Sequence, residues 1–190
     1  MAASTLIRAA RKSRRLTQEQ LAARARIDQS RVSRSERGRD TDFGTVERLL
    51  AGAGHRLYAA PTQRDDAAAV AAEIRDRLAG GDREGALRAL LQLNDNLVAE
   101  HGLVRGVLGL AEPESTGDRA WDATIAALVT WRLREDGLPT PPWVDDPDRY
   151  LATPATLAVD PADPTPPLSE VPEDFARRGV LAWRDTFASV

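Results

Sequence analysis

The chain has 190 residues, of which 42% are hydrophobic and 5% aromatic, a composition typical of one sizeable domain or two small ones rich in helix. It contains no cysteine, which excludes disulfides, thiolate catalysis and cysteine-bound zinc, so we expect no metal site and no cofactor. No apolar run approaches the length of a membrane-spanning helix and no secretory signal is recognisable, so we expect a cytoplasmic, nucleoid-associated protein.

Charge is distributed unevenly along the chain. The formal net charge is −3, but residues 1–64 carry 14 Lys and Arg against 6 Asp and Glu, a net charge of +8, and the remainder carries −11. A nucleic-acid partner requires such a basic segment, because neutralisation of phosphates dominates affinity. The alternative is that these charges are only solvated surface.

Residues 4–60 have the pattern of short helices separated by tight turns. Thr17, followed three residues later by Gln20, predicts a capping box at the start of one helix. Asp28 is placed to cap the next helix, which ends at Gly38. The following apolar residues predict a shared small core: Ile7, Ala10, Leu16, Leu21, Ala22, Ala25, Val32, Phe43, Val46, Leu49 and Leu50.

The stretch from Leu16 to Gly38 resembles the helix-turn-helix of lambdoid phage repressors and Cro proteins, the XRE family, and the likeness extends over residues 4–60. It implies a DNA-binding domain of five helices at residues 1–62, with the N-terminus of the second motif helix in the major groove. It also implies base-edge contacts by residues of that second helix, namely Gln29, Ser30 and Arg34, with Ser33 beside them. Thr17, Gln18 and Arg31 are the residues implied to contact backbone phosphates.

The chemistry of these side chains supports that assignment independently. Gln29 is able to pair with adenine through two hydrogen bonds, and Arg34 with guanine. Arg37 and Arg39 follow at the end of the helix and in the next loop. There a positive charge either meets a phosphate or offsets the dipole of the helix carbonyls.

Two residues depart from the family pattern. Arg26 occupies the turn position that usually holds glycine, and a left-handed backbone there costs an L-residue about 1 to 2 kcal/mol. Ser35 occupies a core position that is usually aliphatic, so it either hydrogen-bonds back to the helix or leaves the core underpacked. Beyond the motif, residues 54–61 form a short extended tail, which either pairs with a second copy to give a homodimer or packs on its own domain.

Residues 65–190 are predicted to form an acidic helical interaction domain. Its predicted helices are Asp65–Ala79, Asp82 to about Glu100, Leu103–Leu110 and Asp118–Asp136. The last of these is expected to pack along one side only, through the stripe of Trp121, Ile125, Leu128 and Trp131 or Arg132.

Ten of the twelve prolines lie between Pro139 and Pro172, which excludes long helices there. We expect a proline-rich arm over residues 137–172 that wraps around the helical body or around a partner. A short helix is predicted at 172–179, and a terminal strand or helix at 180–190.

Three short motifs carry a second resemblance: Trp121-Asp122-Ala123, the run from Leu138 to Val144, and the run from Phe175 to Leu181. Together they are similar to the C-terminal regions of actinobacterial helix-turn-helix proteins that accompany nucleotidyltransferase-like toxins of the AbiE type, over about residues 82–190. The resemblance implies an antitoxin whose body binds the toxin and whose head represses its own operon. The candidate partner contacts are Trp143, Tyr150, Phe175, Arg178 and Trp183.

No catalytic residues are recognisable, because no nucleophile, base and orienting group occur together. His101 lies near Asp95 and Glu100, a setting more typical of a surface histidine than of acid–base chemistry. We therefore expect a sequence-specific repressor rather than an enzyme, most simply an antitoxin. The alternative is a one-component repressor whose helical body binds a small ligand.

Overall fold

The computed structural model describes residues 3–57, 59–160 and 162–188. The predicted mainly helical fold is confirmed, and β-type pairing within these ranges is limited to one isolated parallel bridge between Ala155 and Val180. The chain divides into two compact units, Met1–Thr62 and Gln63–Val190, each with its own hydrophobic core. No helix in the described ranges is both long and apolar enough to cross a membrane.

The N-terminal unit contains the helices α1 (Ala3–Ser13), α2 (Gln18–Ala25), α3 (Gln29–Glu36) and α4 (Phe43–Gly52). The family resemblance implied a fifth helix, but residues 54–57 and 59–62 contain none. The reason lies at the end of α4, where Gly54 has a φ of +74° and the His55 N–H donates to the Leu50 carbonyl over 2.8 Å. This arrangement closes the helix and turns the chain away from its axis.

Each of the four helices contributes to the core of the N-terminal unit. The buried residues are Ile7, Ala10, Leu21, Ala22, Ala25, Val32, Val46, Leu49, Leu50 and Ala53, and Leu16 is buried as well. Phe43, predicted to lie in this core, is exposed, since it is the first residue of α4 and lies outside the apolar stripe.

The C-terminal unit contains α5 (Ala67–Ala79), α6 (Arg83–Ala99), α7 (Gly102–Leu110), α8 (Arg119–Glu135) and the short α9 (Glu173–Ala176). Aspartates cap three of these helices. The side chains of Asp66, Asp82 and Asp118 accept hydrogen bonds from N–H groups in the first turns of α5, α6 and α8.

The helix α8 is the centre of this unit. Every residue from 121 to 130 is buried, and α5, α6, α7 and α9 all contact the helix, so the predicted one-sided packing is wrong. The hydroxyls of Thr124 and Thr130 donate to the carbonyls of Ala120 and Ala126, which satisfies them inside the helix. The carboxylate of Asp122 accepts hydrogen bonds from Ser115 and Thr116, and the other positions from 121 to 130 are apolar, so no face of this stretch needs solvent.

The proline-rich arm contains only short 3-10 turns, at Pro142–Asp145, Pro147–Arg149 and Leu168–Glu170. It packs on the helices of its own unit, where Trp143 is buried and donates its indole N–H to the Gly109 carbonyl over 3.0 Å.

The last described segment returns to the arm. After α9, Val180 forms its bridge with Ala155 and a 3-10 turn spans Arg184–Phe187. Neither a strand nor an α-helix therefore forms within 180–188, while Ser189 and Val190 lie outside the described residues.

Candidate nucleic-acid interface

The start of α2 is fixed by its own side chains. Thr17 Oγ1 accepts a hydrogen bond from the Gln20 N–H over 3.1 Å, and Gln20 Oε1 accepts one from the Thr17 N–H over 2.8 Å. The predicted capping box is therefore confirmed.

The turn between α2 and α3 has the left-handed residue that the sequence predicts. Arg26 has φ 54° and ψ 50°, and the N–H of Ile27 donates back to the Ala22 carbonyl over 3.1 Å. Asp28 occupies the N-cap position of α3 as predicted, but its side chain makes no hydrogen bond to the helix, so the predicted side-chain cap is absent.

The helix α3 has one buried and one exposed face. Val32, Ser35 and Glu36 are buried, and the Ser35 hydroxyl accepts a hydrogen bond from Thr41 Oγ1 over 3.0 Å. The four predicted base-contacting residues lie outside this buried set: Gln29, Ser30, Ser33 and Arg34. Arg37, a predicted phosphate contact, follows directly after the helix. Ser33 is half-buried and the other four are exposed.

The two arginines among these residues lie along the helix. Arg34 Nε donates to the Ser30 carbonyl, and Arg37 Nε donates to the Ser33 carbonyl, each over 3.2 Å. These bonds hold the side chains in place while the paired terminal nitrogens remain for an outside acceptor. Such a planar pair of donors matches the two acceptors on the guanine edge.

Arg31 faces α4 instead. Its Nη2 donates to Asp42 Oδ2 and to Thr45 Oγ1, both over 2.9 Å. Asp42 caps α4 through the Thr45 N–H, and the hydroxyl and N–H of Thr45 hold the pKa of the Asp42 carboxyl below its usual range. Arg31 therefore ties α3 to the start of α4. An exposed ion pair of this kind is weak, so it does not prevent Arg31 from contacting a phosphate.

Arg39 belongs to an open polar cleft of about 320 Å³ beside α3. Arg31 and Arg34 contribute the other positive charges, and Asp28, Asp40 and Asp42 contribute three negative ones. The arginines therefore have carboxylates for neighbours.

A buried polar network supports α3 from behind. Glu36 is 2% exposed and binds Arg11 through two bonds, from Nε to Oε1 over 2.6 Å and from Nη2 to Oε2 over 2.9 Å. Gln18 Nε2 donates to the same carboxylate over 2.8 Å, and the Arg8 guanidinium donates to the Glu36 carbonyl. Gln18, predicted to contact phosphate, thus uses one amide hydrogen internally.

Burial alone raises the pKa of Glu36, but the hydrogen bonds from Arg11 and Gln18 outweigh it and the pKa lies below its ordinary value. Our sequence interpretation missed Arg11 and Glu36. The available signal was that Glu36 lies four residues after Val32, on the buried face, where a carboxylate requires a partner.

The predicted partner contacts of the C-terminal unit divide into two groups. Trp143, Phe175 and Arg178 are buried in the core of that unit, so the folded chain does not present them to a partner. Arg178 donates to Thr130 Oγ1 and to the Val144 carbonyl, each over 3.0 Å, which explains its position inside. Tyr150 and Trp183 are half-buried and remain accessible.

Within the described ranges, no three His, Asp or Glu side chains are grouped so that they would hold a metal ion. Comparison with known families matches residues 7–53 to the helix-turn-helix family, so α1 to α4 are similar to the DNA-binding domain of that family. No curated protein and no solved structure matched the chain.

Proposed function

We propose that this chain is a sequence-specific DNA-binding transcription regulator, with α3 as the helix that enters the major groove. The observation that carries the proposal is that Gln29, Ser30 and Arg34 are exposed along α3, with Ser33 half-buried beside them, while Val32 anchors the same helix in the core. The match of residues 7–53 to the helix-turn-helix family supports the same conclusion.

Each side chain has a proposed role. Gln29 and Arg34 contact base edges, with Ser30 and Ser33 beside them, because amide and guanidinium groups pair with adenine and guanine through two hydrogen bonds. Phosphates are contacted by the start of α2 and by arginines around α3, namely through Thr17, Gln18, Arg31, Arg37 and Arg39.

The test is a binding titration with duplex DNA from upstream of the gene for this protein, followed by fluorescence anisotropy at several salt concentrations. We expect affinity to fall by orders of magnitude between about 50 and about 200 mM salt if several phosphates are contacted. Arg24→Ala is the control for variants of the proposed contacts, since Arg24 is exposed on α2 but is not one of those contacts. An absence of binding at low salt, or binding that salt does not weaken, contradicts the proposal.

We further propose that the C-terminal unit binds a protein, most simply a nucleotidyltransferase-like toxin, which makes the chain an autorepressing antitoxin. Its strong negative charge suits a basic partner surface. Its interior is filled by its own aromatic side chains, with Phe175 and Phe187 ring centroids 5.0 Å apart and Trp131 edge-on to both. Co-expression with the product of the adjacent gene, and co-purification that Trp183→Ala weakens, test this role.

The alternative is a ligand-sensing repressor, and one feature favours it. An open groove of about 640 Å³ lies beside the last described residues, lined by Leu91, Val98 and Thr186 among others. If a metabolic or efflux gene adjoins the coding sequence, the product or substrate of that gene is the ligand to test. A change in DNA affinity on its addition would favour the sensor over the antitoxin.

A homodimer remains part of the proposal, because two DNA-binding domains related by a twofold axis match the two half-sites of a palindromic operator. The tail at residues 54–61 gives it little support. His55 packs on its own unit, with Nδ1 2.9 Å from the Ala53 carbonyl and Nε2 3.3 Å from Ser13 Oγ, and Tyr58 lies outside the described residues.

A further inference from the structure

The helix α7 has an apolar face whose two end residues the described part of its unit leaves exposed. Its inner face, with Arg105, Leu108 and Gly109, is buried against the neighbouring helices. On the opposite face Leu103 is 83% exposed and Leu110 is 64% exposed. Gly106 and Val107 lie between these leucines at helical spacing, so the four residues form one continuous stripe, the α7 stripe.

Structural reasons for glycine differ among the three glycines of α7. Gly102 has a φ of +55°, which favours glycine. Gly109 has no room for a side chain, because a Cβ there would lie 2.8 Å from Val129 Cγ1. At Gly106 a Cβ would meet no atom within 4 Å. Glycine weakens a helix, and no contact within the chain requires it at Gly106. The close approach of another backbone from outside would explain why this position is glycine.

We propose that the α7 stripe is the surface through which two copies of this chain dimerise, with the two α7 helices antiparallel. The stripe is symmetric about its centre, so Leu103 of each copy meets Leu110 of the other. The two Gly106 residues then face each other where the helices approach most closely. This is the self-complementary pattern that a twofold axis requires.

The charge of α7 favours a second copy over a basic partner. Arg105 is the only charged residue in Gly102–Leu110, and it is buried, donating to the carbonyls of Glu100 and Arg132. The negative charge of the unit therefore lies outside the stripe, which offers a basic surface no counter-charge. An uncharged apolar stripe is complementary to another copy of itself.

The exposed area indicates a weak dimer. Leu103 and Leu110 are 83% and 64% exposed, and two leucine side chains bury far less than the roughly 800 Å² that each partner contributes to a standard interface. This inference rests on the proposed function in one respect. Two DNA-binding domains bound to one duplex raise the effective concentration of one α7 stripe near the other, which strengthens the dimer.

The test is sedimentation velocity of the full chain over a range of concentrations without DNA. We expect reversible dimerisation, weakened at least tenfold by Leu103→Ser combined with Leu110→Ser. Leu168→Ser is the matched control and leaves the dimer unchanged, because Leu168 is 70% exposed but lies in the proline-rich arm. Circular dichroism checks that the variants keep their helix content.

Gly106→Ala separates an interface role from a helix role. The added methyl strengthens the helix and raises the melting temperature of the dilute protein, yet it holds two backbones apart and weakens the dimer. A wild-type chain that stays monomeric at every concentration overturns the inference, as does a dimer that the stripe variants leave intact. A dimer that fails to bind DNA contradicts the proposed function alone and leaves the inference standing.

Discussion

Arg11 and Glu36 form a buried, two-pronged ion pair that joins α1 to the end of α3, with Nε 2.6 Å from Oε1 and Nη2 2.9 Å from Oε2. The pair is 25 residues apart in sequence. Because Arg11 also donates to the Leu16 carbonyl, one guanidinium holds α1, the entry to α2 and α3 together. The exposed face of α3 therefore has a defined orientation before any DNA is bound.

Breaking this pair should destabilise the N-terminal unit. In Glu36→Gln the Arg11 charge stays largely buried without a counter-charge, and we expect a loss of about 3 kcal/mol in the free energy of unfolding. All four tryptophans lie in the C-terminal unit, so urea unfolding seen by circular dichroism but not by tryptophan fluorescence reports the N-terminal unit. Glu47→Gln, at an exposed site on α4, is the control and should change stability by less than about 0.5 kcal/mol.

The same carboxylate should make the N-terminal unit sensitive to acid. The pKa of Glu36 is lowered in the folded state, so its contribution to stability is complete above the ordinary glutamate pKa and is lost as pH falls through the lowered value. We expect urea midpoints that decrease on acidification in the wild type and less steeply in Glu36→Gln. Parallel pH profiles for the two proteins would show that Glu36 is not the group responsible.

Local signals in the sequence predicted much of this fold. The capping box of Thr17 and Gln20 involves residues three positions apart, so spacing alone reveals it. The predicted helix starts at Asp82 and Asp118 coincide with the aspartates that cap α6 and α8. The exposed face of α3 follows from helical period in the same way.

Contacts between distant residues were not predictable in this way. Nothing local identifies Arg11 as the partner of Glu36, and the spacing in α8 gave a one-sided stripe because burial by the arm depends on tertiary structure. Trp143 and Phe175 illustrate the same limit. An aromatic residue in the proline-rich arm, such as Trp143, or in the short helix after it, such as Phe175, fits a partner surface and a core equally well until the fold shows which it occupies.

The left-handed turn at Arg26 predicts a stabilising substitution. Arg26 has φ 54°, so Arg26→Gly removes the unfavourable contact of Cβ with the backbone, and we expect a gain of about 1 kcal/mol in the N-terminal unit. Arg24→Gly is the matched control: Arg24 is exposed and helical in the same turn of α2, and glycine there should cost about 1 kcal/mol. Equal losses in both variants would mean that the Arg26 side chain stabilises the turn.

Burial raises the pKa of Asp66, which caps α5 through the Ala69 N–H. Asp66→Asn keeps an acceptor for that N–H and removes the buried charge, so at neutral pH we expect a gain of up to about 1 kcal/mol in the C-terminal unit. The gain should shrink as pH falls through the raised pKa, because the wild-type carboxyl then becomes neutral as well. Urea unfolding followed by tryptophan fluorescence measures both effects.

The variant to compare with Asp66→Asn is Asp82→Asn. Asp82 also caps a helix, but the Gly85 N–H and Arg77 lower its pKa, so the folded state favours its charged form. Losing that charge should therefore reduce stability. The same sign of change in both variants would contradict the assignment of burial as the cause at Asp66.

Arg34 and Arg39 should differ in how they affect DNA binding, because only Arg34 lies on the exposed face of α3. Arg34→Ala should cost about 1 to 3 kcal/mol on the preferred duplex and much less on a duplex with the contacted base pair changed. Arg39→Ala, in the loop after α3, should weaken binding to both duplexes equally. It should also reduce the slope of log affinity against log salt by about one, as expected for the loss of a phosphate contact. Anisotropy titrations of both variants on both duplexes provide the comparison. If Arg34→Ala lost affinity equally on the two duplexes, Arg34 would be a phosphate contact and Gln29 would remain as the principal residue that distinguishes bases.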